Sequence, residues 1–369
     1  MRILFDLCSL EDNFSGIERY ALNISKEYIQ QYPQNEYILV FKNKVFNLYN
    51  EIVKQDNVRV VTLKKCNKLI FNQFILPFHL YKLKADAYVF LAFPEPILFF
   101  HKNIYTTLHD MVCWDCGETM STLSKYYFRI SNIHSKYVCK KIITISEFSK
   151  NRISTVLKID SNKIMLINCG ISKDFYSLIA QTNINSLQKK YCLPEKYILT
   201  LSTLEPRKNL SLLLTVYKKL LDNNVDIPPL VLAGRKGWKM DNFLKDFPKE
   251  YLDHLIFTGF VDDTDLPALY NHADFFVFPS LYEGFGIPPL EAMACDTVVL
   301  SSDSSSLPEV LGNAAIYFKN NNFADLYDKI KYVAHLKDKE KYIELGRQRV
   351  ETFDWKKESK KLIFNRDIE

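Results

Sequence analysis

Short apolar runs, rich in β-branched and aromatic residues, alternate with longer amphipathic stretches along the whole chain. In the first half the runs are 2–5, 37–41, 58–62, 87–91, 104–108, 142–145 and 163–167. In the second half they are 197–202, 230–233, 255–258, 275–278, 298–301 and 315–318. Most are apolar throughout rather than at every second position, the habit of strands buried on both faces of a parallel sheet. The stretches between them, such as 18–31, 147–157, 210–223 and 266–272, read as helices. Parallel strands need long crossovers, and helices supply them. The pattern therefore predicts an α/β chain of doubly wound sheets.

At 369 residues the chain has room for about two domains of roughly 150 residues, each large enough to bury a core. The irregular stretch from about Cys169 to Glu195 supplies the boundary: Gly170 ends one strand, polar residues follow, and Pro194 precedes the next strand. Two doubly wound domains on one linker would leave a cleft between the carboxyl ends of their sheets, where open α/β sheets take ligands.

Composition narrows the function. A chain with 47% hydrophobic and 25% charged residues is neither disordered nor fibrous. No apolar run reaches the ~20 residues needed to cross a bilayer; the nearest, 87–100, is broken by Pro94, Glu95 and Pro96. The start, Met1 to Asp6, turns acidic too early for a signal peptide and reads as a strand, so the expected location is the cytoplasm. Net charge is +5, too mild for a nucleic-acid partner but suited to anionic small molecules or an anionic membrane surface. The eight cysteines show no extracellular spacing and read as free thiols. Cys113 and Cys116 form a CxxC with His109 four residues upstream, but a fourth metal ligand is missing.

Residues just after the strands carry the candidate chemistry. Gly16 opens a helix after the first strand, where free N–H groups could face an anion; an ordinary βα turn fits equally well. No GxGxxG or Walker A loop is present, which argues against a nicotinamide enzyme or a P-loop NTPase. His109 and Asp110 follow the fifth run, either as site residues or as structural ones. After 197–202 comes Glu205-Pro206-Arg207-Lys208-Asn209, whose paired cations fit a diphosphate clamp or a solvated basic turn. The segment after 275–278 is the most distinctive: Glu283-Gly284-Phe285-Gly286, then Pro288-Pro289 at a helix start, then Glu291. Glycines let backbone N–H groups approach a ligand, and prolines pre-set the first helical turn. Glu283 and Glu291 could contact hydroxyls at two ends of one extended ligand, or serve as the paired carboxylates of a glycoside hydrolase. Asp263-Thr264-Asp265 offers a DxD metal motif, yet it precedes a helix where aspartates ordinarily cap. The stretch from Lys125 to Lys141 interleaves cations and aromatics, either to meet a membrane or as a solvated helix packing its aromatics inward.

These motifs together resemble glycosyltransferase family 4, retaining enzymes of the GT-B fold. The resemblance rests on Glu283-x7-Glu291 with Gly284-Phe285-Gly286, and on Gly16 to Tyr20, His109-Asp110, Ile145 to Ser149, Gly170-Ile171, Glu205 to Asn209, Ala233-Gly234 and Leu307 to Val310. It covers nearly the whole chain and is strongest to the bacterial branch that builds O-antigen, capsule and exopolysaccharide, where many members are mannosyltransferases. The sequence departs from the family at Asp296 and Val298, where glycine and proline are usual, and at Cys169, where Asn is more frequent.

The resemblance implies two Rossmann-like domains facing across a cleft: 1–180 for the acceptor, 181–350 for the nucleotide sugar, and 351–369 as a C-terminal helix packing back toward the first. It implies that Arg207 and Lys208 hold the donor diphosphate with backbone at Gly16 and Phe285-Gly286. Glu283 would contact the transferred sugar, Glu291 the ribose, and His109 the reacting centre, with no essential metal or other cofactor. The expected reaction moves a hexose, mannose from GDP-mannose, onto a lipid-linked oligosaccharide at the inner face of the plasma membrane. The alternatives are a UDP- or dTDP-sugar donor, a GT-B-like epimerase or hydrolase, and a non-catalytic sugar-nucleotide-binding subunit.

Overall fold

The computed structural model describes residues 1–10, 16–64, 66–177, 179, 184–201, 205–234 and 248–364. The chain divides into two units, Met1–Gly170 with Asp354–Glu369, and Ile171–Phe353. The division therefore runs ten residues before the expected 180/181 boundary. The stretch read as an irregular linker holds the helix Ile184–Tyr191, which buries Leu187 and Tyr191 within the second unit.

The first unit holds a seven-stranded sheet of β1 (Arg2–Asp6), β2 (Glu36–Lys42), β3 (Val58–Leu63), β4 (Ala87–Phe90), β5 (Ile104–Thr107), β6 (Lys141–Thr144) and β7 (Ile164–Leu166). Its spatial order is β3-β2-β1-β4-β5-β6-β7, with every pair parallel. The second holds β8 (Ile198–Leu201), β9 (Leu230–Ala233), β10 (Leu255–Gly259), β11 (Phe275–Phe278), β12 (Val299–Ser302) and β13 (Ala315–Phe318). These run β10-β9-β8-β11-β12-β13, again all parallel. All thirteen apolar runs of the sequence are strands, to within a residue or two at each end. Interior strands such as β4, β9 and β11 are buried at every position, whereas the edge strands β3 and β10 are mostly half-exposed, because one flank has no neighbour.

Each sheet is covered by crossover helices and keeps its own core. In the second unit Leu213, Val216, Tyr217 and Leu220 of the helix Leu210–Asp222 pack with Phe275, Val277 and Leu300 of the sheet. In the first, Leu80, Phe90, Ile104, Ile142 and Ile153 do the same. The helix Trp355–Ser359 lies on Gly16–Gln31, where Gln31 Nε2 donates to Ser359 Oγ at 2.7 Å and Tyr20 meets Trp355 edge-on. Gly170 is glycine for a local reason: a Cβ there would sit 2.5 Å from the Trp355 main-chain nitrogen. Among the described residues, no helix is long and apolar enough to cross a membrane.

Candidate active site

The order of the second sheet reverses between β8 and β11, which extend to β9–β10 on one side and β12–β13 on the other. Crossovers leave in opposite directions at such a point and open a crevice at the carboxyl ends of the strands. Both distinctive motifs of the second unit lie there. After β8, residues 202–204 fall outside the described residues, and the chain resumes at Glu205 and the single turn Pro206–Lys208. Asn209 closes that turn in the left-handed region at φ 52°, a conformation its short amide side chain tolerates. After β11, Leu281 N donates to the Arg207 carbonyl at 2.9 Å and ties the two loops together.

Three charged side chains converge between these loops. Arg207 Nη1 donates to the Tyr282 carbonyl at 2.7 Å and to Glu283 Oε2 at 3.0 Å. Lys208 Nζ donates to Glu283 Oε1 at 2.7 Å and lies over the Phe278 ring, 5.2 Å from its centre. Glu283 is only 7% exposed. Burial would raise its carboxyl, but the charges of Arg207 and Lys208 outweigh that and hold it at about 2. Burial lowers the Lys208 ammonium from its ordinary value, against the opposing pull of Glu283 and with the help of Arg207. Two partly buried cations face one buried carboxylate, so the cluster keeps a positive charge in excess; Glu205, 3.9 Å from Arg207, is half-exposed. Such a site suits an anion with several oxygens.

A serine-rich loop after β12, which sequence reasoning missed, fixes the glutamate's backbone. Ser305 Oγ accepts from Glu283 N at 2.8 Å, and Ser306 Oγ donates to the carbonyls of Glu283 and Phe285 at 3.0 and 3.1 Å. Ser302 and Ser304 both donate to the Ser280 carbonyl, at 2.6 and 2.9 Å. The available signal was compositional: Ser301-Ser302 ends the strand and Asp303-Ser304-Ser305-Ser306 follows it directly, where loop residues carry function. Gly284 and Phe285 then lead to Gly286 at φ 99°, where a Cβ would meet Leu307 Cδ2 at 2.6 Å, so only glycine serves. Helix Ile287–Ala294 follows, with Pro288 and Pro289 in its first turn. On that helix Glu291, 6% exposed, accepts from Tyr270 Oη at 3.1 Å, a partner the sequence did not reveal.

Arg207, Lys208 and Glu283 are thus one cluster, while Glu291 has its own environment in the same unit. His109 and Gly16 belong to the first unit. Gly16 is the exposed first residue of its helix, and the residues before it (11–15) lie outside the described residues. His109 Nε2 lies 3.0 Å from the Leu91 carbonyl, and its ring packs edge-on against Tyr20. A carbonyl only accepts, so Nε2 carries the proton and Nδ1 the lone pair. Burial pulls this imidazole down to about 4, overriding the carbonyls of Leu91 and Ala92, so it is neutral near pH 7.

The aspartate motif corrects an expectation. Asp265 occupies the N-cap position of Leu266–Asn271, but its side chain makes no cap bond. It accepts instead from Lys190 Nζ at 2.7 Å and Tyr191 Oη at 2.8 Å, while Asp262 takes a second bond from Lys190 at 2.6 Å. At Asp265, electrostatic pairing across to Ile184–Tyr191 has replaced capping. Among the described residues no group of three or more His, Cys, Asp or Glu side chains is placed to hold a metal ion. Of the CxxC pair, Cys113 is buried, which pushes its thiol up to about 12, and Asn132 Nδ2 lies 3.5 Å from its sulfur.

Residues 183–349 match the family model "Glycosyl transferases group 1". The matched stretch carries every member of the charged cluster. Over 218 residues the chain is 35% identical to the O-antigen chain mannosyltransferase B of Escherichia coli, covering 59% of this chain and 57% of that protein. Over 245 residues it is 37% identical to the Escherichia coli serotype-specific mannosyltransferase WbdA, covering 61% of this chain and 30% of that protein. The chain thus spans a little over half of the first relative and less than a third of the second. In structure it is similar to Anabaena HepE, solved with UDP and glucose, at a TM-score of 0.70 and 15% identity, with 98% of each chain covered. The fold is GT-B: two parallel-sheet α/β units, the matched stretch lying in the second.

Proposed function

We propose that the chain is a retaining hexosyltransferase that transfers mannose from GDP-mannose to a lipid-linked oligosaccharide during O-antigen, capsule or exopolysaccharide synthesis, at the inner face of the plasma membrane. The observation that carries this reading is the Arg207–Lys208–Glu283 cluster, two partly buried cations on a buried carboxylate, at the switch point of the second sheet. The mannosyltransferase names of the two relatives support the choice of sugar.

In this reading Arg207 and Lys208 hold the donor diphosphate and stabilise the negative charge that grows on it as the glycosidic bond breaks. Backbone at Phe285-Gly286 and Gly16 assists. Glu283, kept ionised by the same cations, receives hydroxyl groups of the departing sugar. Glu291 receives the ribose hydroxyls, and Tyr270 holds its carboxylate for that task. No carboxylate is assigned as a covalent nucleophile, so attack comes from the face the leaving group vacates, and a leaving phosphate oxygen takes the acceptor proton. His109, neutral, lines the reacting centre as a hydrogen-bonding group. No metal or other cofactor takes part.

The experiment is a donor panel of GDP-, UDP- and dTDP-sugars with lipid-linked acceptor. Nuclear magnetic resonance reads the anomeric configuration of the product. Retention with GDP-mannose, and nucleoside diphosphate release only when acceptor is present, are the expected results. Inverted product refutes the mechanism; release without acceptor favours a hydrolase; turnover with a UDP- or dTDP-sugar alone replaces the donor.

A further inference from the structure

The helix Thr122–Val138 is amphipathic in the opposite sense to an ordinary water-facing helix. It buries Ser131, Asn132 and Ser135 and presents Leu123, Tyr126, Ile130, Ile133 and Tyr137 to solvent, each 43–75% exposed. These five recur at steps of three and four and so form one stripe. The segment from Leu69 to Tyr81 does likewise: it exposes Leu69, Ile70, Phe74, Phe78 and Tyr81 while Phe71, Leu76 and Leu80 enter the core. The loop at Leu98 and Phe100, itself about half-exposed, links the two: Phe100 N donates to Tyr81 Oη at 2.9 Å, and the Phe100 ring lies 5.3 Å from His134. Gln73 Nε2 also donates to Tyr127 Oη at 3.2 Å. One face of the first unit therefore gathers these exposed apolar side chains from neighbouring segments, whereas soluble surfaces scatter such residues singly.

Charge selects the occupant. The chain has 48 basic and 43 acidic residues, yet segments 66–85 and 119–146 contain eight of the basic and none of the acidic, so the remainder is net acidic. Three lysines lie against exposed rings: Lys82 over Phe78 at 4.0 Å, Lys136 over Tyr137 at 5.2 Å and Lys125 over Tyr126 at 5.9 Å. Protein–protein interfaces are depleted in lysine at their cores. Apolar bodies rimmed by lysine ammonium groups match the boundary between acyl chains and anionic headgroups instead.

We propose that these two helical segments dock on an anionic lipid bilayer, with Leu123, Tyr126, Ile130, Phe74 and Phe78 entering the acyl boundary and Lys82, Lys125 and Lys136 meeting the headgroups. The proposal deepens the reading above by assigning the surface on which a lipid-linked acceptor is met, but docking itself requires no catalysis.

The test is co-sedimentation of the full chain with vesicles of phosphatidylcholine alone, or with about 30% phosphatidylglycerol. Binding to the anionic vesicles is expected, at least about tenfold stronger than to the neutral ones and weakened by added salt. Ile130→Ser with Tyr137→Ser, and separately Phe74→Ser with Phe78→Ser, should each lower it about tenfold or more. These side chains are exposed, so the variants should melt with the wild type and keep their transfer rate to a lipid-free acceptor. Failure of the wild type to sediment, or unchanged binding of both variants, overturns the proposal. So does a concentration-dependent dimer that the same substitutions dissolve, which would assign the face to a second copy. A chain that docks but transfers no sugar leaves this proposal standing and refutes the transferase reading.

Discussion

Glu283 is a buried carboxylate kept ionised by Arg207 and Lys208, with its backbone clasped by Ser305 and Ser306. Because its folded-state value lies below the ordinary carboxyl range, its stabilising contribution is present above about pH 4.5 and is lost as pH falls toward 2. His109 also lies below its ordinary value, at about 4. The unfolded chain takes up that proton first, so its contribution is complete above about pH 6.5 and declines between there and 4. Imidazole resonances of His109 should stay neutral through pH 5, and His109→Gln should flatten the melting temperature over that window; a midpoint near 6.5 contradicts the burial assigned to it. The reading of the cluster predicts that Lys208→Ala lowers turnover about a hundredfold, roughly 3 kcal/mol of transition-state stabilisation, in a chain that still folds because Arg207 retains Glu283. Turnover within a few-fold of wild type excludes the clamp. The two glutamates should part company in donor kinetics. Glu283→Gln should mainly lower kcat, whereas Glu291→Gln should mainly raise the donor KM. Equal collapse of kcat in both, with KM unchanged, would return the pair to a hydrolase role.

At the scale of elements, the strands were legible because sheets covered on both faces demand uninterrupted apolar runs such as Phe275–Phe278 and Leu230–Ala233. The parts of the charged cluster were legible because each comes just after a strand, Arg207 and Lys208 after β8 and Glu283 with its glycine turn after β11. The parts left unread depend on partners far along the chain: Tyr270 for Glu291, Lys190 and Tyr191 for Asp265, Ser305 for Glu283. The inverted helix Thr122–Val138 shows the same limit, since periodicity gives an apolar stripe but not the side of the helix that meets the core. Asp296 is instructive in the other direction. Glycine is usual there in the family it resembles, and the backbone does take φ 61°; aspartate holds it with both carboxylate oxygens on Arg347, at 2.7 and 3.0 Å. The glycine turn admits no such substitute. Gly286→Ala should cost about 1–3 kcal/mol through its φ of 99° and its contact with Leu307, and should lower the melting temperature accordingly. A melt identical to wild type would contradict the geometry of that turn.

Considered whole, the molecule has two units of the GT-B fold, with a cluster of two cations and a carboxylate in one and an apolar, lysine-rimmed face in the other. Each holds its own core and its own candidate partner, so each can be tested in the full chain without disturbing the other. The central claim is that Arg207 and Lys208 bind the diphosphate of a sugar nucleotide, and calorimetric titration of GDP, UDP and dTDP into the full chain, beside their parent nucleosides, measures this most directly. The account predicts that one diphosphate binds at least about a hundredfold more tightly than its nucleoside, and that Arg207→Ala with Lys208→Ala removes most of that difference. Binding of nucleoside and diphosphate with equal strength, or a diphosphate preference that survives the double substitution, would contradict it.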